Sequence, residues 1–588
     1  MATNIAYTPD TAITKAMFNF DAFGLPNYKL SGAIRVSVSD NFSQADYLNP
    51  SYSNFNSILY TRGANEVAWT TRMESNIQTI LQAYSQFANI TFQWVGDYDS
   101  LASSTDTTPN PEDVGRADVS DININWIYRS DVNFAGISGG NADKFLFNYT
   151  GGAGDIFLNA YAPKFNGDLT LDLNTRARQT LMHELGHSLG FSHPHSAYNI
   201  SARTPTITTD YTATKDLGFS QLGFRTNSAE DMYKEYFTIM SYDNQHSLLP
   251  GSNVTFQAYT PMILDVIALQ QAYGEGTGTS GSGNDTITVG TAGYRTYFDT
   301  GGIDTVDLSE YTGGAYLNMG VNIIGATHLV GVSVSTYDAQ NAISLGKDPA
   351  NLRWFYGEYE KAFGSAAADQ IIGNSLDNVI DGENGNDTLT GGGGNDSLNG
   401  GDGDDILNGQ EGIDTAIYTS SRSDFTITRN ADRGIIIHDN ANIEGTDTLS
   451  EIERISFSDE RLALDVDGNA GIVAKTLGAV FGAGSIANKE YVGIGLGLLD
   501  GGVSYSNLME LAISTKRGVN ASNNDIVNLL YTNVVGTAPS TSDLNYYVGL
   551  LQNGAYTEVG LGILAADSTI NASNINLIGL ATAGLEFV

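Results

Sequence analysis

The chain has 588 residues, more than one hydrophobic core ordinarily organises, so several domains are expected. Against 28 basic residues stand 66 acidic ones, and the formal net charge of -38 argues against nucleic acid or an anionic membrane surface as a partner. The absence of cysteine excludes disulfides, zinc–thiolate sites and a cysteine nucleophile, while 41% hydrophobic residues suffice for packed globular domains.

No apolar run is long enough to span a bilayer, so no transmembrane segment is expected. The stretch Met1 to Phe18 lacks a basic segment followed by an apolar core. An exported protein of this kind would carry its address elsewhere. The surplus carboxylates have two readings, a merely soluble surface or a set of calcium ligands, and the position of the Asp residues separates them.

Residues 1–274 mix strand and helix signals, an α/β (α+β) pattern. Alternation over Gly32–Val38 and Asp155–Asn159 predicts strands, and apolar residues at helical spacing predict a helix over Thr71–Phe87. A further helix is expected over about Thr175–Phe191. Another is expected over Pro261–Tyr273, with Pro at its start and Gly274 just past its end.

The chemistry concentrates in His183-Glu184-Leu185-Gly186-His187-Ser188-Leu189-Gly190-Phe191-Ser192-His193. Residues four apart on a helix share a face one turn apart, so His183 and His187 can meet one zinc ion. His193 lies six residues further and would sit on another side of a continuing helix. The helix must therefore break, and Gly190 is the residue that tolerates positive φ. Three neutral imidazoles leave zinc an open position for water, and Glu184 is placed to accept that water's proton. A lone histidine would be unremarkable, but four of the chain's seven fall between His183 and His195. Downstream lies Thr238-Ile239-Met240-Ser241-Tyr242.

Residues 275–416 are rich in Gly, Asn and Asp, and their core keeps a nine-residue period. Gly382, Gly391 and Gly400 open successive repeats; Gly385, Gly394 and Gly403 hold the fourth place; Asp387, Asp396, Asp405 and Asp414 hold the sixth. Leu389, Leu398, Leu407 and Ala416 keep step with them. The unit matches the Gly-Gly-x-Gly-x-Asp-x-U-x pattern of RTX proteins, in which Asp and turn carbonyls bind calcium and the apolar residue enters a thin core. The alternative, a flexible Gly/Asn/Asp linker, has no reason to keep an apolar residue in phase. Residues 417–465 read as short strands with turns, a β-rich extension. Residues 466–588 read as a mostly helical domain in which Tyr491-Val492-Gly493 recurs as Tyr547-Val548-Gly549, suggesting two related units of about 55 residues.

Arg178-Gln179-Thr180-Leu181-Met182 before the histidine motif, Pro194 after it, Met240-Ser241-Tyr242 and Ala268-Leu269-Gln270-Gln271-Ala272-Tyr273-Gly274 together resemble the serralysin branch of the metzincin proteases. The resemblance covers roughly Val36 to Ala416. It implies a multidomain chain: a metzincin catalytic domain over 1–274, whose first 20–30 residues or so would be a propeptide, then a parallel β-roll of calcium repeats. It implies a turn carrying Met240 as an apolar floor beneath the three histidines. It further implies that Tyr242 is an additional zinc ligand that leaves the metal to donate a hydrogen bond to the tetrahedral oxyanion. Asp299, Gly301 and Asp304 resemble the first calcium site at the domain junction of that family. His195 stands where the family pattern leads one to expect a small residue.

The activity implied is hydrolysis of peptide bonds in extracellular or surface proteins, with one catalytic Zn2+, several structural Ca2+, and Glu184 carrying the proton from water to the leaving amine. Substrate would lie extended against an edge strand, for which Lys144–Tyr149 and Asp155–Asn159 are the candidates. Ile526–Ser568 resembles a helical domain of unknown function found at the ends of bacterial repeat-containing exported proteins. It offers a cell-surface partner site or a plain folding cap. Leu585-Glu586-Phe587-Val588 resembles the acidic-then-apolar ending of substrates of the type I secretion machinery, so an extracellular location is expected. A rival reading is a calcium-dependent cell-surface or adhesion protein whose protease domain is incidental; retention of Glu184 speaks against it.

Overall fold

The computed structural model describes residues 3–6, 28–39, 69–97, 121–127, 136–138, 156–160, 167–173, 175–191, 197–199, 204–206, 217–224, 237–240, 258–279, 281–290, 293–345, 349–429, 434–441, 443–519 and 521–588. The chain divides into two compact units, Met1–Val306 with Tyr316–Tyr359, and Asp307–Ala315 with Glu360–Val588.

The first unit is built on a five-stranded sheet of β1 (Ile34–Ser39), β2 (Phe92–Asp97), β3 (Ile122–Ile127), β4 (Gly136–Ser138) and β5 (Ile156–Asn159), in the order β2-β1-β3-β5-β4. Four strands run parallel and β4 pairs antiparallel to β5. The strand expected at Asp155–Asn159 forms, but β5 is paired on both sides and is no edge. The outer strand on that side of the sheet is β4, and β2 is the outer strand on the other. The other candidate edge, Lys144–Tyr149, lies outside the described residues.

Helix α1 (Thr71–Phe87) has the expected bounds. The Thr70 hydroxyl caps it by accepting from the Met73 N–H at 3.3 Å, and Met73, Ile77, Ile80, Leu81, Tyr84 and Phe87 form its buried stripe. Helix α2 (Arg176–Ser188) is capped likewise by Thr175 and is buried along almost its whole length. Helix α3 (Ile263–Tyr273) ends at Gly274, whose φ is 87°. Tyr84 ties α1 to α2 by donating its buried hydroxyl to the Met182 carbonyl at 2.7 Å. Phe219, Phe224 and Phe237 surround Trp354, each ring centroid within 5.7 Å of the indole. These aromatics give the unit a second, wholly buried cluster.

In the second unit the nine-residue period becomes a parallel roll. Its strands include β6 (Gln370–Ile372), β7 (Val379–Asp381), β8 (Thr388–Gly393), β9 (Ser397–Asn399), β10 (Ile406–Glu411) and β11 (Thr415–Ile417). Successive repeats alternate between two sheets, so partners in one sheet are 18 residues apart: Ile371 faces Leu389, Leu389 faces Leu407, and Ile380 faces Leu398. Those five side chains are fully buried. Beyond the repeats come β12 (Phe425–Arg429), β13 (Ile435–Asp439), β14 (Thr446–Ser450), β15 (Arg454–Ser456) and β16 (Arg461–Ala463).

The helical region follows, with α4 (Asn469–Phe481), α5 (Lys489–Asp500), α6 (Tyr505–Arg517), α7 (Asn523–Val535), α8 (Thr541–Gln552) and α9 (Glu558–Ala566) among its helices. Ser504, Ser522, Ser540 and Thr557 cap α6 to α9 through side-chain oxygens, which is why hydroxyl residues punctuate this stretch. Two apolar clusters hold the helices together. The recurring Tyr-Val-Gly does not mark equivalent positions: Tyr491 is the third residue of α5 and Tyr547 the seventh of α8. Residues Leu585–Phe587 form β17, antiparallel to β16. No described helix is long and apolar enough to cross a membrane.

Candidate metal centres

Helix α2 carries His183 and His187 one turn apart, with ring centroids 4.8 Å apart and ring planes at 86°. The Nδ1 of His183 lies 2.7 Å from the Ile239 carbonyl oxygen and that of His187 lies 2.8 Å from the Phe191 carbonyl oxygen. A carbonyl can only accept, so each Nδ1 carries a proton, and in a neutral ring the lone pair then falls on Nε2. This is the tautomer and the outer hydrogen bond that a metal-binding histidine needs. Burial pushes the His187 imidazole down to about 4, so the ring is neutral at physiological pH. Glu184, between the two, is 4% exposed.

The helix ends as the spacing requires. Gly190 has a φ of 108°, its N–H donates to the His187 carbonyl at 3.0 Å, and the Phe191 N–H reaches back to the Gly186 carbonyl at 2.9 Å. This pair of bonds is a Schellman closure, which only a residue free to adopt positive φ completes cheaply. The same turn delivers the Phe191 carbonyl to His187. Tyr273 of α3 fixes it from outside by donating to the Leu189 carbonyl at 2.6 Å.

Met240 is fully buried, and a methyl group on Gly186 would stand 2.7 Å from its sulfur, so this stretch lies directly against α2. Asp265 of α3 holds it there. Its carboxylate accepts from the Thr238 hydroxyl at 2.5 Å, from the Ile239 N–H at 2.9 Å and from the Met262 N–H at 2.8 Å. Burial pushes the Asp265 acid up to about 7 against the pull of those three donors. Asp265 escaped the sequence reading, although a lone acid inside the apolar run Met262–Leu269 was its signal. His193, Tyr242 and His195 lie outside the described residues. Among the described residues no group of three or more His, Cys, Asp or Glu side chains is gathered as a metal site.

The roll presents oxygen instead. The backbone N–H groups of Asp369, Asn378, Asp387 and Asp396 donate to Oδ1 of Asp387, Asp396, Asp405 and Asp414, each 18 residues on, at 2.7–2.8 Å. The other oxygen, Oδ2, of each of these four Asp residues is buried without a hydrogen-bond partner among the described residues. Buried carboxylate oxygens left bare are costly, and a hard cation with oxygen-only ligands satisfies them. Burial first, and neighbouring carboxylates second, push Asp387 and Asp396 up to about 7 and Asp405 up to about 6. The first glycines, Gly382, Gly391 and Gly400, lie under these oxygens: a methyl group there would come within 2.4 Å of Oδ2. The fourth-position glycines Gly385, Gly394 and Gly403 have φ of 143°, 104° and 146°.

In the first unit, Asp299 Oδ2 accepts from the Gly301 N–H at 2.7 Å, and Asp304 Oδ1 accepts from the Asp285 N–H at 2.8 Å. Burial, with the charges of Asp299 and Asp285 added, pushes Asp304 up to about 6. Asp285, absent from the sequence-derived ligand set, donates its backbone N–H to Asp304 and adds a negative charge near it.

The model of the RTX calcium-binding nonapeptide repeat (4 copies) matches residues 363–398 and 381–416, and the domain of unknown function DUF4214 matches residues 508–572. The chain is similar to metallopeptidase AprA of Pseudomonas marginalis, 29% identical over 272 residues, which are 42% of this chain and 49% of the relative. It is 33% identical to serralysin G of Dickeya chrysanthemi over 223 residues, 36% of this chain and 39% of the relative. It is 27% identical to the serralysin of Proteus mirabilis over 320 residues, 51% of this chain and 53% of the relative. The chain thus spans about half the length, or less, of these curated relatives.

Proposed function

We propose that this serralysin-like chain, with its RTX repeats, is an exported zinc-dependent endopeptidase of extracellular or surface proteins. The observation that carries the reading is the His183–His187 pair: two imidazoles one helical turn apart, each with its Nδ1–H donated to a backbone carbonyl, the outer hydrogen bond of a metal-binding histidine. His183, His187 and His193 would hold the ion, with Tyr242 as a further ligand by family resemblance. Zinc bound there would lower the pKa of its water and polarise a scissile carbonyl.

The chain's own groups do the rest. The Glu184 carboxylate takes the proton of the attacking water and returns it to the leaving nitrogen. The Tyr242 hydroxyl donates to the oxyanion, where a donor is worth most as charge develops. Met240, pressed against Gly186, keeps α2 and both rings in place. Substrate would pair its main chain with the outer strand β4, antiparallel pairing being the ordinary way a peptide extends such a sheet. The roll binds calcium. Catalytic residues would fall within 1–274 and the roll within 275–416, with 417–465 and 466–588 supporting export or surface attachment. The missing basic patch after Arg517 favours a protein or cell-surface partner there over nucleic acid.

The test is casein hydrolysis by full-length protein. Activity should vanish with chelator, return with zinc in calcium buffer, and be absent in Glu184→Gln. A calcium-loaded protein that binds a surface but never hydrolyses casein, with zinc present, would instead support the adhesion reading.

A further inference from the structure

The compact unit that holds helix α2 does not end at residue 274. It takes in Tyr316–Tyr359, from the stretch whose sequence reads as calcium roll. The strands Ala315–Val321, Val330–Ser335 and Leu352–Tyr356 run through this segment, the last two pairing antiparallel with Val332 facing Trp354. The segment meets the sequence that surrounds the histidines at several points. The Ile324 N–H donates to the Leu217 carbonyl at 2.8 Å, and the Tyr316 hydroxyl to the Leu222 carbonyl at 3.4 Å. The Gln271 side-chain amide of α3 donates to the Gly325 carbonyl.

Its largest anchor is Trp354. The indole is fully buried, with the ring centroids of Phe224, Phe237 and Phe219 at 5.2, 5.4 and 5.7 Å. Phe219 and Phe224 also meet Phe237, at 5.0 and 5.2 Å. Three aromatic rings thus cage Phe237, the residue that opens the stretch Thr238–Met240. The Phe237 carbonyl accepts the Leu264 N–H of α3 at 3.0 Å. Two residues on, the Ile239 carbonyl accepts Nδ1–H of His183 at 2.7 Å. Asp265 fixes the backbone of this stretch, and the cage fixes where it starts. Aromatic clusters ordinarily supply burial alone. This one ends two residues from the acceptor of a candidate metal ligand, and a close-packed interior passes on a shift of that size.

We propose that Trp354 is a positioning residue of the zinc centre: by caging Phe237 it sets the Ile239 carbonyl that orients the His183 ring, so residues 316–359 complete the catalytic unit. The inference rests on the zinc reading of His183 and His187. A ligand histidine is aimed by its outer hydrogen bond, and loss of such a partner costs about 10–100-fold in metal affinity. Trp354 acts one step behind that partner, so the lower end, about 10-fold, is expected for removal of its ring. Trp354→Leu leaves a void into which Phe237 can shift. Trp354→Phe keeps a ring beside Phe237.

The experiment titrates zinc into the full chain, in saturating calcium, against a competing chelator. It also follows amide hydrogen exchange at Ile239 and Met240 before zinc is added. Those amides donate to the Asp265 and Thr238 side chains at 2.9 and 3.0 Å, so they report on the stretch itself. At a temperature where circular dichroism shows it folded, Trp354→Leu should bind zinc about 10-fold more weakly than the parent, with both amides exchanging faster. Trp354→Phe should recover most of the affinity. A merely structural role would lower the unfolding temperature of Trp354→Leu and leave the zinc affinity of the folded protein at its parental value, which overturns the proposal. Equal losses in the two variants would mean that the ring is not what holds Phe237, and overturn it too. If Trp354→Leu fails to fold, Trp354→Phe decides: faster exchange at Ile239 and Met240 supports the proposal, and unchanged exchange overturns it. A parent chain that binds no zinc overturns the zinc reading and this inference with it. A parent that binds zinc, with the affinity untouched in Trp354→Leu, overturns this inference alone.

Discussion

The Asp265 carboxylate accepts the Ile239 backbone N–H at 2.9 Å, and the carbonyl of that same Ile239 accepts Nδ1–H of His183 at 2.7 Å. One residue thus carries the position of α3 to an imidazole of α2. Asp265→Asn should leave at least one of its three buried donors without an acceptor, at a cost of about 1–3 kcal/mol. It should also weaken zinc binding about 10–100-fold through the displaced His183 ring. Thermal unfolding and a zinc competition titration read the two effects; unchanged zinc affinity would make Asp265 a purely structural anchor.

Glu184→Gln removes the proton acceptor while keeping the shape beside His183. Turnover of casein should fall by about 10²-fold or more with zinc still bound. Metal content by mass spectrometry, together with residual activity, checks this, and near-parental hydrolysis would sink the mechanism. Tyr242→Phe should lower kcat more than it raises KM, because its hydrogen bond matters mainly in the transition state.

Calcium-free roll stability should fall as pH rises. Asp387 and Asp396 sit near 7 and Asp405 near 6 when folded, against about 3.9 for an unfolded aspartate. The folded state therefore holds more protons, and its stability is greatest below about pH 4 and lost as pH rises toward 7. Calcium replaces those protons. Circular dichroism in calcium-free buffer should show more strand at pH 4.5 than at pH 7.5, and calcium added near pH 6 should release protons. Calcium-free strand content that rises with pH would contradict this.

Arg454 on β15 is buried and bridges Asp465 at 2.5 Å and Asp500 at the end of α5 at 2.9 Å. Arg454→Met leaves two carboxylates facing each other with no cation between. A loss of about 3 kcal/mol is expected, the lower end for a broken buried pair because Asp500 is partly exposed. Guanidinium unfolding followed by helix and strand signals should show both lowered together. Loss confined to the helix signal would mean that Arg454 does not couple the roll to the helices.

Much of this protein follows from spacing along the chain. His183 and His187 share a face because four residues make one helical turn, and Gly190 ends that helix because its φ of 108° suits few other residues. The nine-residue phase of Asp387, Asp396, Asp405 and Asp414 already implied regularly placed carboxylates, while the alternation of successive repeats between two sheets makes the stacking partners 18 residues apart. Tertiary structure decided what no local period encodes. The outer strand is β4 rather than β5, because pairing depends on which strands reach the sheet. Tyr-Val-Gly recurs out of register because helix caps, not the triplet, set where α5 and α8 begin. Asp265 reaches Ile239 across 26 residues, and Asp447 and Glu453 rejoin the ladder after an insert that breaks its period. All but the helix caps rest on hydrogen bonds between distant segments, and such bonds form only once packed cores have brought the segments together.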